Sequence, residues 1–322
     1  MAGQRCCRIQ PTPGENDINT AGFWRRIGAF VLDAVLLGVI GIVAGLIFYE
    51  TFVRFGGWGR LIGLAVVLPY FGALNSRMSG GQTLGKRLLR IRVVGADGAP
   101  LPLPRSLLRT MVLAVPWFLN GAPFPADLLV APWINLLTTA IFGLGASILY
   151  LLLFNRATRQ SLHDLVAGSY VVGAEPAAAV VKAPLGRTHA IVVALLFAAA
   201  ALAPFVTSRL ASQEPFAALM KVFQALNAEP GIVRANVSEG WTSNGDGRTT
   251  YLLINAFLDE PRLGDARLAQ RLARVAIAND PTVLDLQIVQ VVLIYGYDIG
   301  IASAHRSQVY RYPPKEWITA GQ

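Results

Sequence analysis

The chain has few charged residues, few histidines and only two cysteines. Charged residues make up 15% of its 322 positions, against roughly 25% in an ordinary soluble domain. The two cysteines are adjacent, at Cys6 and Cys7, which excludes a disulfide scaffold, and three histidines leave little material for a zinc site. Because 54% of the residues are hydrophobic, the composition also excludes a disordered chain and argues against a simple soluble enzyme.

The positive charge is confined to one part of the chain. Residues 1–206 hold 17 Lys and Arg against 8 Asp and Glu, whereas residues 207–322 hold 11 of each. The whole net charge of +9 therefore belongs to the part that also carries the long apolar runs. This distribution is typical of basic loops that orient membrane helices. We accordingly expect a lipid bilayer as partner, and no nucleic acid.

Long apolar segments predict about five transmembrane helices, each of roughly 20 residues. One of them, at residues 106–125, is interrupted by Arg109, Pro116 and Pro123, and taken alone it fits a span, a re-entrant piece or an interfacial helix. Basic residues flank both ends of the region 106–154, so both ends are predicted to be cytoplasmic and the segment is predicted to cross. The predicted spans are residues 27–49, 58–75, 106–125, 128–154 and 188–206.

The predicted fold is an α-helical membrane bundle followed by a small α+β domain. In the second part, apolar periodicities and turn residues follow the order α-β-β-α-β-β, which favours a four-stranded antiparallel sheet with helices on one face. The predicted location is the plasma (inner) membrane, with the last part outside the cytoplasm. The predicted divisions are a cytoplasmic tail at 1–20, a membrane domain at 21–173, a linker at 174–187, a span at 188–206 and the extracytoplasmic domain at 207–322.

An acidic residue, Asp33, lies inside the first predicted span. A carboxylate at that depth is costly unless it is paired, protonated or hydrated. Arg26 is two turns away on the same helix, so a residue from another span, Arg109, is the better candidate partner. A transport role and a structural pairing are about equally supported. His163 and Asp164, beyond the fourth span, predict a polar latch more than a proton relay, because no nucleophile accompanies them.

A glycine-rich segment at residues 80–86 matches most of a phosphate-binding loop. The match fails because Arg87 stands where the magnesium-binding hydroxyl belongs, and because a membrane span precedes the segment. We predict instead a cytoplasmic turn and a short basic strand, with Asp97 and Gly98 in a hairpin turn. Its basic side chains are candidates for contacts with anionic headgroups; they are Lys86, Arg87, Arg90 and Arg92.

These segments together resemble the RDD family of membrane proteins. The family's pattern has an Arg at the start of the first helix, an Asp within it and a second Asp near the end of the domain, and Arg26, Asp33 and Asp164 stand at these positions. The stretches at 81–86 and 159–172 also resemble the family. The resemblance covers about residues 21–173. It implies a membrane domain for which transport, including cation/proton exchange, has been suggested.

Two classes of function remain. The first is an integral membrane protein that moves a small ion or solute, using a charge network of Arg26, Asp33, Arg109 and Asp164. The second is a membrane-anchored scaffold whose external domain binds a protein or envelope partner. We expect no enzymatic activity, no cofactor and no metal. Because five helices with one deep acid are few for a lone transporter, transport predicts a homo-oligomer.

Overall fold

The computed structural model describes residues 20–120, 133–174, 184–244 and 247–319. The predicted tail with Cys6 and Cys7, and most of the predicted linker, lie outside these residues. The described chain forms a helical bundle followed by an α+β domain, as the sequence predicts. The helices of the bundle are α1 (Phe23–Ile47), α2 (Tyr49–Arg54), α3 (Arg60–Leu74), α4 (Leu84–Leu88), α5 (Leu103–Leu119), α6 (Trp133–Thr138), α7 (Leu144–Phe154), α8 (Leu162–Ala167) and α9 (Arg187–Ala211).

Four helical segments are long and apolar enough to cross a membrane. Their side chains are mostly exposed, because a span packs only a narrow stripe against its neighbours and presents the rest to lipid. In the last of them only 6% of the apolar window is buried. A π-helical turn, Thr139–Gly143, joins α6 to α7. The four segments are Phe23–Ile47, Gly56–Leu74, Asn135–Phe154 and Arg187–Leu210.

The remaining predicted span, residues 106–125, corresponds to α5, which differs from the other four. It has 17 residues, or about 26 Å at 1.5 Å per residue, against a hydrocarbon core of about 30 Å. Its buried face is polar at one end, with Ser106, Arg109 and Thr110, and apolar at the other, with Ala114 and Phe118. It packs along α3. The structure thus supports four candidate spans by length and composition, and a fifth crossing stays a prediction.

A two-stranded antiparallel sheet joins the middle of the RDD-like region to its end. Strand β1 (Ile91–Gly95) pairs with β2 (Ser169–Gly173), from Ile91 opposite Gly173 to Gly95 opposite Ser169. The expectation of a local hairpin around Asp97 and Gly98 is therefore wrong. A tight turn does form there, but the apolar side chains of β1 are buried, and β2 supplies the pairing that covers them.

The C-terminal domain contains a mixed sheet, so the predicted purely antiparallel sheet is wrong. The strands are ordered β3-β4-β5-β6, and the central pair, β4 and β5, runs parallel. Helix α11 connects these two strands. Because this helical crossover brings the chain back to the end of the sheet where β4 begins, β5 runs in the same direction as β4. The elements are α10 (Phe216–Asn227), β3 (Ile232–Asn244), β4 (Gly247–Leu258), α11 (Ala266–Asn279), β5 (Ile288–Asp298), β6 (Ser303–Tyr312) and α12 (Pro314–Thr319).

The loop between β5 and β6 lies against α1, α3 and α5 of the bundle. Trp117 of α5 donates its indole N–H to the Gly300 carbonyl at 2.8 Å, and Ile301 packs with an apolar cluster of the bundle that includes Leu37 and Phe118. Glycines make this approach possible, since a Cβ at Gly63 would overlap the Ile299 carbonyl oxygen. Four glycines contact this loop and the adjoining end of β5, and their four-residue spacings also permit close packing of helices; they are Gly41, Gly45, Gly59 and Gly63.

Gly63→Ala is expected to destabilise the protein by about 1–3 kcal/mol, because the added methyl group forces the β5–β6 loop off the bundle. Gly38→Ala is the matched control, since it also faces the loop but its Cβ would meet the Ile301 carbonyl at an ordinary 3.6 Å. We expect the control to be neutral or slightly stabilising. Thermal unfolding of both variants in detergent measures the difference, and equal midpoints would contradict a tightly seated loop.

Candidate functional site: two buried carboxylates

The carboxylate of Asp164 is buried between two guanidinium groups. Arg109 of α5 donates from Nε and Nη2 to Oδ1 at 2.9 and 2.7 Å, and Arg26 at the start of α1 pairs with Oδ2. Asp164 lies in the first turn of α8, where it also accepts the backbone N–H of Ser161 in a capping box. This cluster joins three segments of the chain through one side chain.

The electrostatics of the cluster keep Asp164 ionised. Burial alone raises the pKa of its carboxyl, but Arg109 and Arg26 outweigh burial and hold that pKa well below its usual range. The neighbouring His163 is neutral at physiological pH, because burial lowers its pKa to about 3. A neutral, buried histidine is a poor proton relay near pH 7.

The second carboxylate, Asp33, lies within α1 and has only neutral donors. The Tyr70 hydroxyl donates to Oδ1 at 2.7 Å, the Thr83 hydroxyl to Oδ2 at 2.5 Å, and the Gly85 backbone N–H to Oδ1 at 2.8 Å. Gly85 allows this approach, because a Cβ there would overlap the Ala29 carbonyl oxygen. Across the described part of the chain, no Lys, Arg or His nitrogen lies within 4 Å of this carboxylate.

The pairing expected from sequence therefore differs from the one observed. Arg109 contacts Asp164 and leaves Asp33 to neutral partners. Sequence reasoning missed Tyr70 and Thr83, and only Thr83 carried a usable signal, since it is the N-cap of a short helix. The glycine-rich segment at residues 80–86, which does not match a complete phosphate-binding loop, thus donates a hydroxyl and a backbone N–H to the carboxylate of Asp33.

The four basic residues assigned to headgroup contacts have different environments. Lys86 is turned inward, and its ammonium donates to Asn75 Oδ1 at 2.8 Å. Burial lowers the pKa of Lys86 to about 7, and the nearby Arg109 adds to this effect. Arg87 is exposed and donates to the Ser79 hydroxyl at 2.6 Å, Arg90 is exposed, and Arg92 is partly buried in β1.

An apolar cavity of about 300 Å³ has Ala34 and Phe71, the chain neighbours of Asp33 and Tyr70, in its lining. It runs between α1, α3 and α5, with Thr110 among its few polar lining residues, and Gly300 and Ile301 of the β5–β6 loop close one end. Its lining includes Phe30, Ala34, Leu37, Val67, Phe71 and Trp117. Within the described ranges, no group of three His, Cys, Asp or Glu side chains could hold a metal ion.

Four candidate spans and two buried carboxylates define a polytopic, membrane-type helical domain. Residues 20–168 match the model of the RDD family. A similar protein is the "Uncharacterized protein YckC" of Bacillus subtilis (strain 168), which is 29% identical over 161 residues, covering 50% of this chain and 89% of the relative. No solved structure matches the chain. The RDD match ends before α9 and the C-terminal domain.

Asp164→Asn is expected to destabilise the protein by about 3–5 kcal/mol, because it leaves two buried guanidinium groups without a counter-charge. Asp33→Asn is the matched comparison and should cost less, about 1–3 kcal/mol, because its three donors are neutral. Thermal unfolding in detergent ranks the two variants. A larger loss in Asp33→Asn would contradict the structural role of Asp164.

Stability is expected to rise as pH increases from about 7 to about 10.4, the ordinary pKa of lysine. In this interval Lys86 is neutral in the folded protein, where its pKa is lowered to about 7, but it is protonated in the unfolded chain. Rising pH therefore favours folding. Lys86→Met should remove that part of the pH dependence, measured by thermal unfolding, whereas Lys221→Met, at an exposed position of α10, should retain it. Identical slopes in the two variants would show that Lys86 is not the titrating group.

Proposed function

We propose that the protein moves a small cation across the membrane in exchange for protons, with Asp33 as the exchanging group. The supporting observation is the contrast between the two carboxylates. Asp164 forms ion pairs with two arginines, which suits a structural role. Asp33 lies within a candidate span and receives hydrogen bonds only from neutral groups. A buried carboxylate that makes no direct ion pair can take up either a proton or a cation.

The surroundings of Asp33 support this assignment. Hydroxyl partners such as Tyr70 and Thr83 can reorient to accept a hydrogen bond when the carboxyl becomes protonated. The cavity between α1, α3 and α5 has Ala34, the chain neighbour of Asp33, in its lining. The cluster of Arg26, Arg109 and Asp164 fixes the ends of α1 and α5, and the exchanging group lies within α1. In this proposal the partner of the protein is the lipid bilayer of the plasma membrane.

A second candidate function is a membrane-anchored scaffold, favoured by one observation on the C-terminal domain. Strand β6 is an edge strand with mostly exposed side chains, and an unpaired strand edge can bind an extended peptide by strand addition. In that case the bundle is an anchor and the domain recognises a protein or envelope partner outside the cytoplasm.

Purified protein in vesicles tests the exchange proposal. Outward gradients of Na⁺, K⁺, Li⁺ or Ca²⁺ should drive proton movement, followed with a trapped pH-sensitive dye, and Asp33→Asn should reduce it to the level of empty vesicles. Asp97→Asn is the control, because Asp97 is an exposed acid in a turn of the same domain, and its flux should equal that of the wild type. Absence of wild-type flux with all four cations would refute exchange, and full flux in Asp33→Asn would remove Asp33 from the mechanism.

A further inference from the structure

A small cleft of about 140 Å³ lies where the helical bundle meets the C-terminal sheet. One wall is the glycine-rich turn before α3, with Gly56 and Gly57, and the other is formed by β3, β4, β5 and β6. The charged and titratable residues in its lining are Arg60, Arg234, Asp298 and His305.

One ion pair in this cleft is complete. Arg60 donates from Nε to Asp298 Oδ2 at 2.9 Å, and its Nη2 lies 2.8 Å from the same oxygen. Its Nη1 donates to the backbone carbonyls of Trp117 and Asn120, while Asp298 Oδ1 accepts the Gly300 N–H at 2.8 Å. Arg60 and Asp298 therefore neutralise each other and contribute no net charge to the cleft.

The guanidinium of Arg234 lacks such a partner. It stacks on the ring of Phe257, with its central carbon 4.4 Å from the ring centroid, and the side chain is half-buried. No acceptor in the described ranges receives a hydrogen bond from it, and no carboxylate there lies within 4 Å. Stacking occupies one face of the group and leaves its N–H edge available for an acceptor.

His305 packs edge-to-face against the same Phe257 ring, with centroids 6.0 Å apart. Its imidazole adds a hydrogen-bonding group to the cleft. Gly56, Gly57 and Gly296 contribute backbone to the lining, and Val53, Val233 and Leu258 contribute apolar side chains. The cleft therefore combines a net charge of +1, a polar ring and open backbone, which suits a small anion.

We propose that this cleft binds an oxyanion, a phosphate or carboxylate group, with the Arg234 guanidinium as its principal ligand. A guanidinium binds such groups through two parallel hydrogen bonds, which satisfies a charge that is otherwise partly desolvated and unpaired. The oxyanion has two sources, a soluble ion or the headgroup phosphate of a lipid, because the cleft lies where α3 begins, at one end of a candidate span. This site is independent of the proposed exchange at Asp33.

Titration of the full-length, delipidated protein in detergent with inorganic phosphate or acetate, followed by calorimetry, tests the soluble source. Arg234→Gln should weaken binding about 10- to 100-fold, as expected for charge-assisted hydrogen bonds. The matched control is Arg248→Gln, because Arg248 also stacks on an aromatic ring, Trp241, at 4.7 Å, but is exposed and outside the cleft. The control should bind as the wild type does.

Native mass spectrometry of partially delipidated protein tests the headgroup source. Phospholipid that stays bound to the wild type and to Arg248→Gln, but not to Arg234→Gln, would identify a lipid phosphate as the ligand. The site is supported if Arg234 dependence appears in either experiment. It is refuted if wild type and Arg234→Gln behave identically in both, including the case in which neither binds.

Arg234→Lys covers the case in which Arg234→Gln does not fold. Lysine retains the charge but lacks the planar set of donors. We expect weaker binding than in the wild type in whichever experiment shows binding. Binding equal to that of the wild type would overturn the assignment of the guanidinium as principal ligand.

Discussion

The helical bundle depends on the buried carboxylate of Asp164. This carboxylate pairs with Arg26 and Arg109, which are 83 residues apart in the chain, and Asp164 follows Arg109 by a further 55 residues. Two guanidinium groups removed from water require a counter-charge, and breaking such a pair is costly. The cluster therefore fixes the start of α1, the polar end of α5 and the short helix α8 in one arrangement, and β2 begins directly after α8.

The same residue type has two different environments in this domain. Asp164 meets two permanent positive charges, and Asp33 meets two hydroxyls and one backbone N–H. Thr83 and Gly85, which contribute to the second set, lie in the glycine-rich segment that resembles a phosphate loop in sequence. A loop that offers N–H and hydroxyl donors binds anions in general, and here the anion is a side chain of the first helix.

The C-terminal domain is joined to the helical bundle by packing as well as by the chain. The β5–β6 loop occupies space left by glycines of α1 and α3, and the Arg60–Asp298 pair and the Trp117–Gly300 hydrogen bond hold it there. Small residues allow close approach whatever the partner is. Their spacing in the sequence therefore indicates a close contact without saying whether a helix or a loop makes it.

The sequence by itself determined the apolar helices, the division into a bundle and an α+β part, the order of the C-terminal elements and the positions of Arg26, Asp33, Arg109 and Asp164. Local properties carry these conclusions, because hydropathy, periodicity and turn residues depend on neighbouring positions. Only the tertiary structure decided that Arg109 pairs with Asp164, that β4 and β5 run parallel, that β1 pairs with β2, and that Lys86 turns inward. Each of these depends on contacts between distant segments, and several pairings satisfy the same local pattern until packing selects one.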